Sequence, residues 1–220
     1  MGFDAVIFDL DGVLCRTDRY HLAAWGELAS ELGIELPPDA AERTRGVGRM
    51  ESLELVLGPL ASHLAREEKE KLAERKNRIY KEQLRRLGPQ DIEPGAAEAL
   101  AELRRRGLKL AVASSSRNAP LITERLGFNG WLDAVVDGSM ISRSKPDPEV
   151  FHKAAELLSL PPARCAVVED AQSGIDAARA GGFFAVAYTR PPRPLEGCCA
   201  EIHALAALPA LLTQASVAQE

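Results

Sequence analysis

Two aspartates separated by one residue and followed by glycine, Asp9-Leu10-Asp11-Gly12-Val13, stand directly after a short apolar run. Carboxylates at this spacing can divide labour, one attacking as a nucleophile and the other giving and taking protons. Gly12 lets the backbone turn sharply behind them. Ser114-Ser115-Ser116-Arg117-Asn118 brings hydroxyls, backbone N–H groups and a helix start together, which makes an anion cradle. Lys145-Pro146-Asp147-Pro148 offers a fixed cation for a phosphoryl group or a carboxylate nucleophile. Glu169-Asp170 is an adjacent acid pair, which repels unless a cation lies between; oxygen-only donors beside a phosphoryl site favour Mg²⁺. Each motif alone has a plainer reading: solvated aspartates at a strand end, a helix cap, a surface lysine before a Pro-started helix, a solvated acidic turn. Their joint order weakens all four plain readings.

The elements that carry these groups are legible from periodicity. Ala5–Phe8, Leu108–Ala113, Ala134–Val136, Ala166–Val168 and Phe183–Ala187 have strand length and β-forming composition. Glu98–Arg106, Asn118–Leu126, Pro148–Leu158 and Ser173–Ala180 read as helices between them. In the first, Ala99, Leu100 and Leu103 share a face, three arginines suit the C-terminal dipole and Gly107 ends it. Strand–helix alternation predicts an α/β fold with a parallel sheet, and the polar motifs then fall at the carboxyl edge of successive strands, where such sheets bind ligands. Between the first two strands lie roughly 90 residues, far more than a plain crossover needs. They contain helical patterns at Asp18–Leu32, Met50–Leu57 and Glu67–Leu87. The spacing predicts a helical insertion over residues 16–88, punctuated by Gly88-Pro89 and Pro94-Gly95 on its return. Lys76 falls on the otherwise apolar stripe of the third of these helices, facing the cleft or snorkelling to solvent.

Composition narrows the function classes. The 220 residues carry a net charge of −5, with 46% hydrophobic and 27% charged residues, so nothing electrostatic calls for nucleic acid or an anionic membrane. No apolar run approaches the ~20 residues of a spanning helix. The run from Phe3 to Phe8 is interrupted by Asp4 and lacks a cationic lead, so it reads as a strand rather than a secretory signal, and a cytoplasmic protein is expected. Cys15, Cys165, Cys198 and Cys199 show no CxxC spacing and are expected to be unpaired.

The order and spacing of the four motifs resemble the haloacid dehalogenase superfamily of aspartate-nucleophile phosphotransferases. That resemblance implies a Rossmann-like core of strand order 3-2-1-4-5, formed by residues 1–15 and 89–220, with an inserted α-helical cap domain over 16–88. The cap stretches Tyr20-His21 with Trp25, Gly46-Val47 with Arg49, and Arg75-Lys76-Asn77 further resemble the β-phosphoglucomutase family within it. Carried over by motif, the resemblance implies that Asp9 attacks phosphorus and Asp11 is the general acid/base. Asp9, Asp11, Glu169 and Asp170 bind Mg²⁺, while Ser114 and Lys145 hold the transferring phosphoryl group. Arg49, Ser116, Arg117 and Asn118 hold a second phosphate; His21, Trp25, Gly46, Val47 and Lys76 line the sugar side; Thr17 lies near the hinge. Arg117 stands where close relatives have lysine, and Arg16 where they usually carry an acid. Residues 191–220 carry no match.

The activity so implied is interconversion of β-D-glucose 1-phosphate and D-glucose 6-phosphate through the 1,6-bisphosphate, with small sugar phosphates as ligands and nothing that demands more than a monomer. A sugar-phosphate phosphatase on the same core is the alternative. A non-catalytic phospho-acceptor is disfavoured by the complete set of catalytic groups.

Overall fold

The computed structural model describes residues 2–44, 47–190, 192 and 194–217. Gly46, one of the expected sugar-side residues, lies outside them. Six parallel strands form one sheet in the order β3-β2-β1-β4-β5-β6: β1 Ala5–Phe8, β2 Lys109–Ala113, β3 Ala134–Val136, β4 Cys165–Glu169, β5 Phe184–Tyr188 and β6 Ala200–Ile202. The expected order of the first five holds. The sixth is a three-residue strand, too short to register as a periodic pattern.

The helices are α1 Asp18–Leu32, α2 Ala40–Arg43, α3 Arg49–Leu57, α4 Arg66–Gln83, α5 Ala96–Arg105, α6 Ala119–Arg125, α7 Glu149–Leu158, α8 Gln172–Ala180 and α9 Leu208–Val217. The predicted helix over Glu67–Leu87 ends earlier than its pattern: α4 tightens into a 3₁₀ turn at Leu84–Arg86, and Gly88 before Pro89 is extended. Alternation along β1 builds two cores. Val6 and Phe8 pack on one face with α5, α6 and α9; Ala5 and Ile7 pack on the other with α7 and α8. The helices α1–α4 form the insertion between β1 and α5, with α1 lying along α4. No helix among the described residues is long and apolar enough to cross a membrane. All four cysteines are unpaired, as expected.

Two neighbouring stretches of backbone connect the insertion to the sheet. Glu93 N–H donates to the Leu14 carbonyl at 2.9 Å, Arg16 N–H donates to the Asp91 carbonyl at 2.7 Å, and Cys15 bridges Ile92 between them. Arg16 turns outward onto Glu93, with Nε at 2.6 Å and Nη2 at 3.2 Å from its carboxylate oxygens. Tyr188 also donates to Glu93 at 2.6 Å. The buried Asp91 accepts from Arg19 at 2.6 Å and from the Tyr20 hydroxyl at 3.0 Å.

Candidate active site

Strand register puts two of the expected groups in one row with a backbone carbonyl. Phe8 is paired with Val112 on one side and Val168 on the other, so one step further along stand Asp9, Ala113 and Glu169. The Lys145 ammonium bonds to each of them: Asp9 Oδ1 at 2.5 Å, the Ala113 carbonyl at 3.3 Å and Glu169 Oε1 at 2.6 Å. An ammonium has three protons, and here each reaches a different strand. Burial disfavours the charged form of Lys145, but Asp9 and Glu169 override it and hold its pKa above the ordinary lysine value. The Asp9 carboxyl is pushed well above its usual range by burial, with Lys145 opposing and Glu169, Asp170 and Asp11 reinforcing the rise.

The turn after β1 aims the second aspartate. Leu14 N–H and Cys15 N–H both return to the Leu10 carbonyl, and Gly12 takes a φ of +91°. A side chain at position 12 would also meet Asp170, whose Oδ2 would stand 2.4 Å from its Cβ, so glycine is required twice over. Asp11 then accepts a short hydrogen bond from the Thr17 hydroxyl, at the entry to the insertion. Burial raises its pKa to about 6 against the opposing effect of Thr17. That is a suitable value for a group that must both give and take protons. Arg16 is turned to Glu93 and makes no hydrogen bond to Asp11 among the described residues.

Ser114 and Ser116 accept hydrogen bonds through their oxygens, from Ser116 N–H at 3.1 Å and Asn118 N–H at 3.2 Å, which leaves both hydroxyl protons available to an anion. Arg117 is exposed, and with Arg49 it lines the same cleft. The two guanidiniums are near enough that Arg117, after burial, lowers the basicity of Arg49. Arg49 pairs with Glu74 at 3.2 Å. Across the cleft the Asn118 amide donates to Asn77 Oδ1 of α4 at 2.9 Å, joining core to insertion.

His21, Trp25 and Val47 line the insertion side of the cleft with Lys76, which faces the cleft rather than snorkelling to solvent. The residue is 5% exposed, and its ammonium stands 2.8 Å from His21 Nδ1 and 4.4 Å from the centre of the Trp25 ring. Burial and Arg49 lower its pKa to about 7. Burial and Lys76 hold His21 well below its usual value, so its imidazole is neutral and Nδ1 can accept a hydrogen bond from the lysine ammonium. The cleft encloses ≈ 970 Å³ of empty space, the open solvent at its mouth included. It brings together Asp9, Asp11, Ser114, Ser116, Arg117, Asn118, Arg49, Lys76, His21, Trp25 and Val47; Lys145 and Glu169 lie in the row of residues beneath it. Sequence reasoning assigned no role to Asn77, Ser115 or Tyr80, which also line it. Asn77 and Tyr80 stand one and four positions after Lys76 on α4, so helical spacing was the signal that could have found Tyr80.

The donor chemistry fits a divalent cation. Asp9, Glu169 and Asp170 are buried together, and with Asp11 they place a surplus of carboxylate around the one ammonium of Lys145. Hard oxygen donors of this kind suit Mg²⁺. Among the described residues no three His, Cys, Asp or Glu side chains form a finished cage. Glu169 is held from both ends, Oε1 by Lys145 and Oε2 by Ala171 N–H at 2.9 Å, so metal ligation there would add to these bonds through remaining lone pairs. Gly174 in the first turn of α8 lets the helix close over Glu169, whose Cδ would stand 1.9 Å from a Cβ at that position.

The chain is similar to several known proteins over most of its length. The chain is 43% identical over 184 residues to the β-phosphoglucomutase of Bacillus subtilis, covering 83% of this chain and 81% of that one. It is 33% identical over 183 residues to the phosphorylated carbohydrates phosphatase of Thermotoga maritima, covering 82% of each. The crystal structure of β-phosphoglucomutase from Clostridium difficile superposes with a TM-score of 0.90 at 31% identity, over 98% of this chain and 99% of that one. Residues 3–182 match the haloacid dehalogenase-like hydrolase family, and the chain belongs to it.

Proposed function

We propose that the protein is a phosphomutase that interconverts β-D-glucose 1-phosphate and D-glucose 6-phosphate through the 1,6-bisphosphate, with Asp9 carrying the phosphoryl group between half-reactions. The observation that carries this reading is a cleft with two sets of anion-binding side chains. One set, Ser114 and Lys145, surrounds Asp9; the other comprises Arg49, Ser116, Arg117 and Asn118. A hydrolase acting on a monophosphate needs only the first set, whereas a bisphosphate intermediate needs both.

In this reading residues 1–15 and 89–220 are the catalytic core and 16–88 a cap that closes over it. Asp9 Oδ attacks phosphorus, and the oxygen of the departing sugar takes a proton from Asp11. In the reverse half-reaction Asp11 removes a proton from the attacking sugar hydroxyl. Ser114 and Lys145 offset the charge of the transferring group. Mg²⁺ held by Asp9, Asp11, Glu169 and Asp170 would neutralise further charge at the same place. Arg49, Ser116, Arg117 and Asn118 grip the far phosphate. His21, Trp25, Val47 and Lys76 form the wall against the sugar. The bond from Asn118 to Asn77 supports a closed arrangement that excludes water from the aspartyl-phosphate.

A product assay tests the reading. With β-glucose 1-phosphate, Mg²⁺ and a trace of 1,6-bisphosphate, glucose 6-phosphate is expected to form much faster than free phosphate. Free phosphate as the main product would replace the mutase with a sugar-phosphate phosphatase.

Two further results are expected. Arg49→Ala lowers mutase kcat/KM by about 10–100-fold, the range for losing a charge-assisted phosphate contact, and lowers hydrolysis of a simple phosphate monoester much less. Equal losses in the two assays would count against a second phosphate site. The KM for sugar phosphate rises severalfold as pH passes upward through about 7, because Lys76 is charged below that value and neutral above it. The groups facing Lys76 are the neutral His21, the rings of Trp25 and Tyr80, and at longer range Arg49 and Asp11. Lys76→Met is expected to flatten this dependence; an unchanged KM profile in that variant would remove Lys76 from the binding wall.

A further inference from the structure

Arg49 stands where a cation is poorly placed. It is the first residue of α3, at the positive end of that helix's dipole. It shares the cleft with a second guanidinium, that of Arg117, and burial and Arg117 both lower its basicity. A long side chain under these forces would swing away from Arg117, and fixing it again when an anion arrives would cost rotational freedom. Among the described residues one carboxylate is in ion-pair contact with Arg49. It is Glu74 of α4, whose Oε2 accepts from Nη1 at 3.2 Å and which opposes the loss of basicity.

The Glu74 side chain is 56% exposed, so this pair adds little to stability. Its geometry serves another end. Glu74 Oε1 is tied back to its own helix by Asn77, three positions on, whose Nδ2 donates to it at 3.5 Å. Asn77 is buried, and its Oδ1 accepts from the Asn118 amide at 2.9 Å. One amide orientation satisfies both contacts, oxygen toward Asn118 and nitrogen toward Glu74. A line of side chains therefore runs from Asn118 on the core, through Asn77 and Glu74, to Arg49 on the insertion. Its two ends are both members of the second anion-binding set. The contact with Glu74 takes up a single N–H of Arg49 and leaves the rest of the guanidinium fork to an anion.

We propose that Glu74 is a positioning residue: braced through Asn77 by Asn118, it holds the Arg49 guanidinium in place for the far phosphate before substrate arrives. The proposal rests on the reading that Arg49, Ser116, Arg117 and Asn118 bind a second phosphate. Glu74 itself touches no substrate. Its contribution is the side-chain freedom that Arg49 has already lost when the sugar phosphate enters.

Glu74→Ala, Arg49→Ala and the double variant test this. Each is assayed for glucose 6-phosphate formed from β-glucose 1-phosphate, for hydrolysis of a simple aryl phosphate, and for thermal unfolding. Glu74→Ala is expected to lower mutase kcat/KM about 3–10-fold, chiefly as a higher KM. Aryl phosphate hydrolysis is expected to stay within about twofold, and the unfolding temperature to be unchanged. In the Arg49→Ala background the same substitution is expected to cost less than about twofold more, because Glu74 acts through Arg49. Four results would overturn the proposal. An unchanged kcat/KM means that Arg49 needs no support. A lower KM marks a carboxylate that competes with phosphate. A full further loss in the Arg49→Ala background marks an action by another route. Equal losses in both assays, or earlier unfolding, mark a structural role. Failure of the underlying reading looks different: Arg49→Ala alone would then depress both assays equally, and the proposal would fall with it.

Discussion

Asp9→Asn is expected to lower turnover by about 10⁴-fold or more, the loss typical when a covalent nucleophile is removed. The amide has nearly the shape of the carboxylate and its oxygen can still accept from Lys145, so the row of Asp9, Ala113 and Glu169 keeps its geometry. What disappears is the electron pair that forms the bond to phosphorus. The substitution also removes one of the carboxylates that repel one another here; burial together with Glu169, Asp170 and Asp11 already pushes the Asp9 carboxyl upward. The variant should therefore unfold at or above the temperature of the unaltered protein. Steady-state product formation and acid-quenched incorporation of labelled phosphate into the protein check both halves of this expectation. Turnover near the normal rate would eliminate Asp9 as the nucleophile.

Lys145→Ala is expected to damage fold and activity together. Lys145 is 5% exposed and its ammonium is the common partner of two buried carboxylates from different strands. Removing one partner of a buried ion pair leaves an uncompensated charge and typically costs about 3–5 kcal/mol. Denaturant unfolding should show a loss of that size. Activity should fall by about 10²–10³-fold, because the transferring group loses its fixed cation and because Asp9, already raised in pKa, would be protonated more readily without Lys145. Lys145→Met combined with Glu169→Gln separates the two effects. It leaves fewer uncompensated charges, so stability should partly return while activity stays low. If Lys145→Ala unfolds like the unaltered protein, the ammonium does not tie the three strands together.

Much of this site was legible in the sequence because its residues stand at strand ends, and strand ends are what periodicity locates well. Once β1, β2 and β4 are placed, Asp9, Ser114 and Glu169 must share one edge of the sheet. Lys145 was harder, since it sits in an irregular loop between β3 and α7, and only a motif placed it near the others. The triple bond pattern of its ammonium depends on register, which no local pattern carries. On the insertion, helical spacing put Lys76 on the face of Leu72 and Ile79, but whether it faced solvent or cleft depended on how α1 and α4 pack. Arg16 illustrates the same limit. Its place in the sequence names no partner, while the structure turns it to Glu93, a residue 77 positions away. Residues 191–220 gave no signal because β6 has only three residues and α9 carries apolar side chains around most of its circumference. Leu205, Leu208 and Leu212 nonetheless join the core on the face of α5.

The paired crossings at Leu14–Glu93, Cys15–Ile92 and Arg16–Asp91 have a consequence for how such a molecule can change over generations. Because the chain leaves the sheet and returns to it through hydrogen-bonded neighbours, the two cut ends lie within reach of a tight turn. Everything between them is topologically a cassette. It can be lengthened, shortened or exchanged without rethreading a single strand, and the carboxyl edge that holds Asp9, Lys145 and Glu169 keeps its register throughout. On the proposed reading, the groups around Asp9 and the wall against the sugar are thus carried on separate stretches of one chain, free to be revised at different rates.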